Sequence, residues 1–185
     1  MTRIFISYRR SDSATIAGRI YDRLAGEFGE DSVFKDSYGI VPGEDFRGKI
    51  REQVALCDVL LVVIGPAWLH VTEQNNPGLR RLDNPNDWVR LEVETGLQRR
   101  GAVVIPVLVS GAAIPPESEL PASLRELAYR NALSVRDDPD FRGDMNRLIE
   151  AIRKVSDPPA GSQVAPSAPK PENNGLRPQV IVAII

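Results

Sequence analysis

Three places in this chain combine residue types and spacings that can do chemistry. Gly43, Gly48 and Lys49, within VPGEDFRGKI, fall on the G-x-x-x-x-G-K spacing of a loop that cradles nucleotide phosphates. Cys57 and His70 are the single cysteine and the single histidine of the chain. Glu92 follows Trp88 by one helical turn in DWVRLEVETGLQRRG, which brings an acidic group and an aromatic ring to one side of a helix.

The glycine-rich spacing fails as a phosphate loop. Ile50 stands where a magnesium-binding Ser or Thr is needed, and Glu44 and Asp45 inside the cradle would repel phosphate. The stretch reads better as a surface loop that turns at Pro42-Gly43 and enters a helix, its two acids complementing the helix N-terminus. Between Phe34 and Phe46, however, the loop exceeds the roughly two to six residues usual for a strand–helix connection, and long loops of this kind carry function.

One cysteine and one histidine exclude an intramolecular disulfide and a four-ligand Cys/His zinc site, and no metal site is expected. A Ser-His-Asp triad would rest on His70 alone; that residue reads as a partly exposed polar group near a helix end. Cys57, just before an apolar run, reads as a small core residue.

On a helical wheel, Val89, Val93, Gly96 and Leu97 share the face that packs inward. Trp88, Glu92, Thr95 and Arg99 form an adjoining stripe, and Glu94 points to solvent. Glu92 therefore sits at the edge of the buried face. Periodicity alone leaves two roles open: an oriented functional carboxylate, or an edge acid paired with a nearby arginine.

The elements around these residues are legible. Apolar residues are 42% and charged residues 26% of 185, the mix of a soluble globular domain, and a net charge of −2 gives no broad attraction to nucleic acid or anionic lipid. The N-terminus lacks the pattern of a signal peptide. Strands are predicted at residues 3–7, 32–36, 59–64, 102–109 and 132–135. Helices are predicted at 13–28, about 46–56, about 87–100, 121–130 and 141–155, with Ser11 to Ser13 supplying the N-cap of the first. Apolar strands alternating with helices predict an α/β fold: a flavodoxin-like, three-layer arrangement with a five-stranded parallel sheet in the order 2-1-3-4-5. The domain is expected over residues 1–155. A Pro-rich flexible linker is expected over 156–179, and an apolar tail over 180–185. That tail is either a β-like end or the first turns of a transmembrane helix that continues further; a full span needs roughly 20 apolar residues. A receiver-domain reading fails because Asp58 begins its strand and no acidic pair follows the first strand.

FISYRR at the first strand, VFKD at the second, PGEDF in the long loop and DWVRLEVETGL on the helix together resemble the TIR (Toll/interleukin-1 receptor) domain, over about residues 2–154. The likeness is to the bacterial NAD-cleaving branch. It implies an NAD+ glycohydrolase that breaks the nicotinamide–ribose bond, with NAD+ as substrate and no cofactor, giving nicotinamide and ADP-ribose or a cyclic ADP-ribose. It further implies a role in bacterial immune, anti-phage signalling and activation by self-assembly. Glu92 matches the catalytic glutamate of the W-x-x-x-E helix. Trp88, Tyr8, Arg9, Arg10, Phe34, Asp36 and Phe46 match NAD-binding positions, with Arg9 and Arg10 toward the pyrophosphate. The loop 36–46 matches a gating loop that also makes homo-oligomeric TIR–TIR contacts. In that branch a second subunit supplies an aromatic from the loop after the fourth strand; SGAAIPPESEL here has none. The likeness implies a cytoplasmic domain, membrane-anchored only if the apolar tail continues into a transmembrane helix. The alternative is a non-catalytic TIR–TIR interaction or adaptor module, which the shared fold does not separate from the enzyme.

Overall fold

A computed structural model describes residues 2–35, 48, 52 and 54–156. The loop 36–46 with Asp36 and Phe46, most of the 46–56 helix, and the linker and tail beyond Ser156 lie outside the described residues.

Strand β1 (Ile4–Ser7) is followed by helix α1 (Arg10–Phe28), a short 3-10 turn and strand β2 (Val33–Lys35). Strand β3 (Val59–Ile64) leads into a hairpin of β4 (Thr72–Glu73) and β5 (Asn76–Arg80), and then into helix α2 (Trp88–Gln98). Strand β6 (Val103–Val109), a 3-10 segment (Ala122–Tyr129), strand β7 (Leu133–Val135) and helix α3 (Phe141–Ser156) complete the domain. The main sheet has the order β2-β1-β3-β6-β7 and every pairing in it is parallel, as the run of apolar strands predicts.

Side chains alternate across the sheet. Ile4 and Ile6 join Val59, Leu61 and Val63 under α1 and α3. Phe5, Leu60, Val62 and Ile64 pack instead with Val89, Leu91 and Val93 of α2 and with Leu124 and Leu127. Two apolar layers thus sandwich strands buried along both faces. Close seating of α2 depends on Gly96, where a Cβ would meet Leu60 Cδ2 at 2.2 Å.

Two expectations are corrected, and one element carries no signal in the sequence. Helix α1 begins at Arg10, with Arg9 as N-cap: the Arg9 carbonyl accepts the amides of Asp12 and Ser13, at 3.0 and 2.9 Å, and no side chain caps the helix. The segment predicted as a helix at 121–130 is wound as 3-10 turns. The β4–β5 hairpin went unread, because TEQNNPGLR has no apolar alternation to mark a strand. No helix among the described residues is long and apolar enough to cross a membrane.

Candidate active site

The end of β1 and the start of α2 are joined at two points. Ser7 lies on the face of β1 opposite Ile6, so its hydroxyl points at α2. It donates to Glu92 Oε2 at 2.6 Å, and Glu92 is 7% exposed. Two residues on, Arg9 projects the same way. Its Nη1 and Nη2 donate to Asp87 Oδ2 and Oδ1 at 3.1 and 2.9 Å, and its Nε donates to the Trp68 carbonyl at 3.0 Å. Both side chains are 1% exposed. Asp87 is also the N-cap of α2, its Oδ1 accepting the Arg90 amide at 3.1 Å. A bidentate Arg–carboxylate pair fixes angle as well as distance, so the first turns of α2, carrying Trp88 and Glu92, are held in register with the strand.

Surrounding bonds stiffen this arrangement. Asp12, on α1, accepts the amides of Gly65 and Ala67 at 3.0 and 2.8 Å, tying the turn after β3 to the helix. Gly65 is needed there: a Cβ would lie 2.3 Å from Asp12 Oδ2. Arg90 donates to the Leu82 and Asp83 carbonyls at 3.3 and 3.0 Å and to Glu94 Oε1 at 2.7 Å. Glu94 also accepts from Ser123, which corrects its expected solvent-facing placement. Glu94 thus pairs with Arg90 as an edge acid does.

The sequence-predicted positions separate. Trp88 and Glu92 share α2 as expected. Tyr8 is turned to the opposite face of the sheet, packing on the core under α1 and α3. Arg9 faces α2 but is committed to Asp87 and buried, so it is not presented to a pyrophosphate; burial without a partner would cost such a cation heavily. Arg10 is exposed at the start of α1, on a polar hollow shared with Arg19, Ser110 and Asp137. Phe34, 42% exposed, lines a hollow with Arg3, Asp31, Leu56 and Cys57, residues that precede β1, β2 and β3, and is not brought to Ser7, Trp88 or Glu92. Ser7 and Asp87 were missed. Strand parity marks Ser7, and an acidic residue just before a helix marks Asp87 as a cap.

A cleft of about 500 Å³ opens beside Trp88 and Asp87, between the start of α1 and the β4–β5 hairpin. Its wall is polar, with Ser11, Thr72, Glu73, Arg81 and Asn84 among the lining residues. His70 is exposed and lines a different hollow, beside the loop after β6. Cys57 is buried, and burial pushes its thiol up to about 11, so it behaves as a core residue. Among the described residues, no cluster of three or more His, Cys, Asp or Glu could hold a metal.

A five-stranded parallel sheet in this order, flanked by helices, matches the fold of a TIR domain. The TIR domain family model matches residues 4–149, and the chain belongs to that family. Among solved structures, it is similar to the TIR domains of the activated Roq1 resistosome that directly recognises the pathogen effector XopQ. The TM-score is 0.60 at 13% identity, covering 82% of this chain and 99% of that one. A TIR-STING receptor from C. gigas, in complex with 2',3'-cGAMP, gives a TM-score of 0.54 at 23% identity; 80% of this chain aligns with 38% of the receptor. A prokaryotic SEFIR domain gives 0.52 at 17% identity, over 82% of this chain and 99% of that one. These likenesses establish a common fold. No curated protein matches the sequence.

Proposed function

We propose that this TIR domain is an NAD+ glycohydrolase whose acting group is Glu92. The observation that carries the reading is the buried Ser7–Glu92 hydrogen bond of 2.6 Å, with Trp88 one turn before Glu92 on the same helix. A carboxylate oriented by a strand hydroxyl is the equipment this reaction needs. The bond broken joins nicotinamide to ribose C1′. Nicotinamide leaves a cationic substrate as a neutral molecule, so no general acid is required. Positive charge develops on the ribose, and a fixed carboxylate in a dry setting stabilises it or holds the ribose hydroxyls. Water then adds to C1′, giving ADP-ribose and releasing a proton; attack by the substrate's own adenine nitrogen gives a cyclic product.

In this reading nicotinamide lies against Trp88 and its ribose faces Glu92. Arg9 serves by holding α2, and Arg10 lies on a neighbouring polar hollow at the start of α1. Asp36 and Phe46 are further NAD-binding positions by the family likeness, and the loop 36–46 mediates self-assembly that switches activity on in immune signalling. The test is nicotinamide release from NAD+, followed by chromatography at low and high protein concentration, for the wild type and Glu92→Gln. Release that rises with concentration and vanishes in the variant supports the reading. Equal release from both, or none from the assembled wild type, refutes it and leaves the non-catalytic interaction module.

A further inference from the structure

The cleft beside the β4–β5 hairpin carries both a cation and a carboxylate on its wall, Arg81 and Glu73. Arg81 lies beside Asp87, with Nε to Oδ2 at 3.1 Å. Asp87 already holds Arg9 through both oxygens, so two guanidinium groups share one carboxylate and a positive excess remains on Arg81, the more exposed of the two. Glu73 lines the same cleft. Asn84 donates to its Oε1, and Asn84 is itself oriented because its Oδ1 accepts the Asn86 amide at 2.9 Å. Glu73 Oε2 has no hydrogen-bond partner among the described residues. Trp88, which lines the same cleft, shares α2 with Glu92. The cavity falls within the range of small-molecule sites.

We infer that this cleft takes the adenosine side of the dinucleotide: Arg81 faces the diphosphate and the pre-oriented Glu73 carboxylate accepts hydrogen bonds from the adenosine ribose diol. A carboxylate in that place accepts from a 2′-hydroxyl and repels a 2′-phosphate. The hairpin therefore makes the domain selective for NAD+ over its 2′-phosphorylated form, NADP+. This rests on the glycohydrolase reading, and it adds a specificity residue, Glu73, that does not touch the bond being broken.

The test compares kcat/KM for NAD+ and NADP+ in the wild type, Glu73→Gln and Glu73→Arg, with thermal melts to confirm folding. The wild type is expected to prefer NAD+. Loss of the charged acceptor lowers kcat/KM for NAD+ by roughly tenfold, and the arginine variant moves the preference toward NADP+. An unchanged NAD+/NADP+ ratio in both folded variants overturns the inference. A second measurement needs no turnover: ADP-ribose and its 2′-phosphate are titrated into each protein and followed by NMR. Tighter binding of ADP-ribose by the wild type, weakened by Glu73→Gln, sustains the cleft assignment even if neither dinucleotide is cleaved, in which case the glycohydrolase reading alone fails. Equal binding of both ligands, or shifts that avoid Thr72, Glu73 and Arg81, refutes the cleft assignment itself.

Discussion

Arg9 and Asp87 meet through two hydrogen bonds, at 2.9 and 3.1 Å, with both side chains 1% exposed. The pair joins the N-cap of α1, two residues beyond β1, to the N-cap of α2. Removing Arg9 leaves the buried carboxylate with only the half-exposed Arg81 as its cation, so Arg9→Met is expected to lower unfolding stability by about 3 kcal/mol in urea titrations. The double variant Arg9→Met/Asp87→Leu is expected to recover part of that loss, because both buried charges are gone and Arg81, which loses its partner, is open to water. If Arg9→Met leaves the urea midpoint where it was, the pair is not holding the helix.

Ser7→Ala removes the hydroxyl that orients Glu92 and leaves the fold intact, since Ser7 adds no apolar packing. On the glycohydrolase reading, kcat falls by about tenfold while KM changes little, the signature of a group that matters in the transition state. A Ser7→Thr variant that keeps the donor should restore part of the rate. A loss expressed in KM alone would contradict this role.

Gly65→Ala places a methyl group where Asp12 Oδ2 now lies, 2.3 Å away. Asp12 must then leave the amides of Gly65 and Ala67. A destabilisation of about 1–3 kcal/mol is expected, together with faster amide exchange at Gly65 and Ala67, read by hydrogen-exchange NMR. Unaltered exchange would show that Asp12 does not hold this turn.

Asp144 ties α3 to the end of β7. Hydrogen bonds from the Arg136 guanidinium, at 2.9 and 3.0 Å, and the Arg136 amide at 3.0 Å hold its carboxyl at about 2, below the ordinary 3.8. A depressed folded-state value means the stabilisation is fully present above about pH 4 and is lost as pH falls toward 2. Urea unfolding of Asp144→Asn should therefore be weaker than wild type at neutral pH and converge with it in acid. Parallel curves down to pH 2 would remove Asp144 from the account.

The sheet was readable because its strands are apolar runs buried on both faces, and their alternation with helices admits few parallel orders. Glu92 was readable as a position because Val89, Val93 and Gly96 set the wheel. The roles of Tyr8 and Arg9 were not readable from SYRR alone. Counting alternate residues from Ile6 puts Ser7 and Arg9 toward α2 and Tyr8 away from it, yet only the position of Asp87 shows that Arg9 is consumed in an ion pair. The hairpin was hidden for another reason: its strands pair through backbone groups and expose polar side chains, leaving no hydrophobic signal.

The Ser7–Glu92 bond has a mechanical meaning. Ser7 belongs to a strand hydrogen-bonded on both sides, to β2 and to β3, and such strands are among the last parts of a domain to open. The carboxylate is thus bolted to the chassis of the molecule. On the glycohydrolase reading, control comes most cheaply from parts that travel toward a stationary Glu92, because a switch that moved Glu92 would have to give up its buried bond to Ser7.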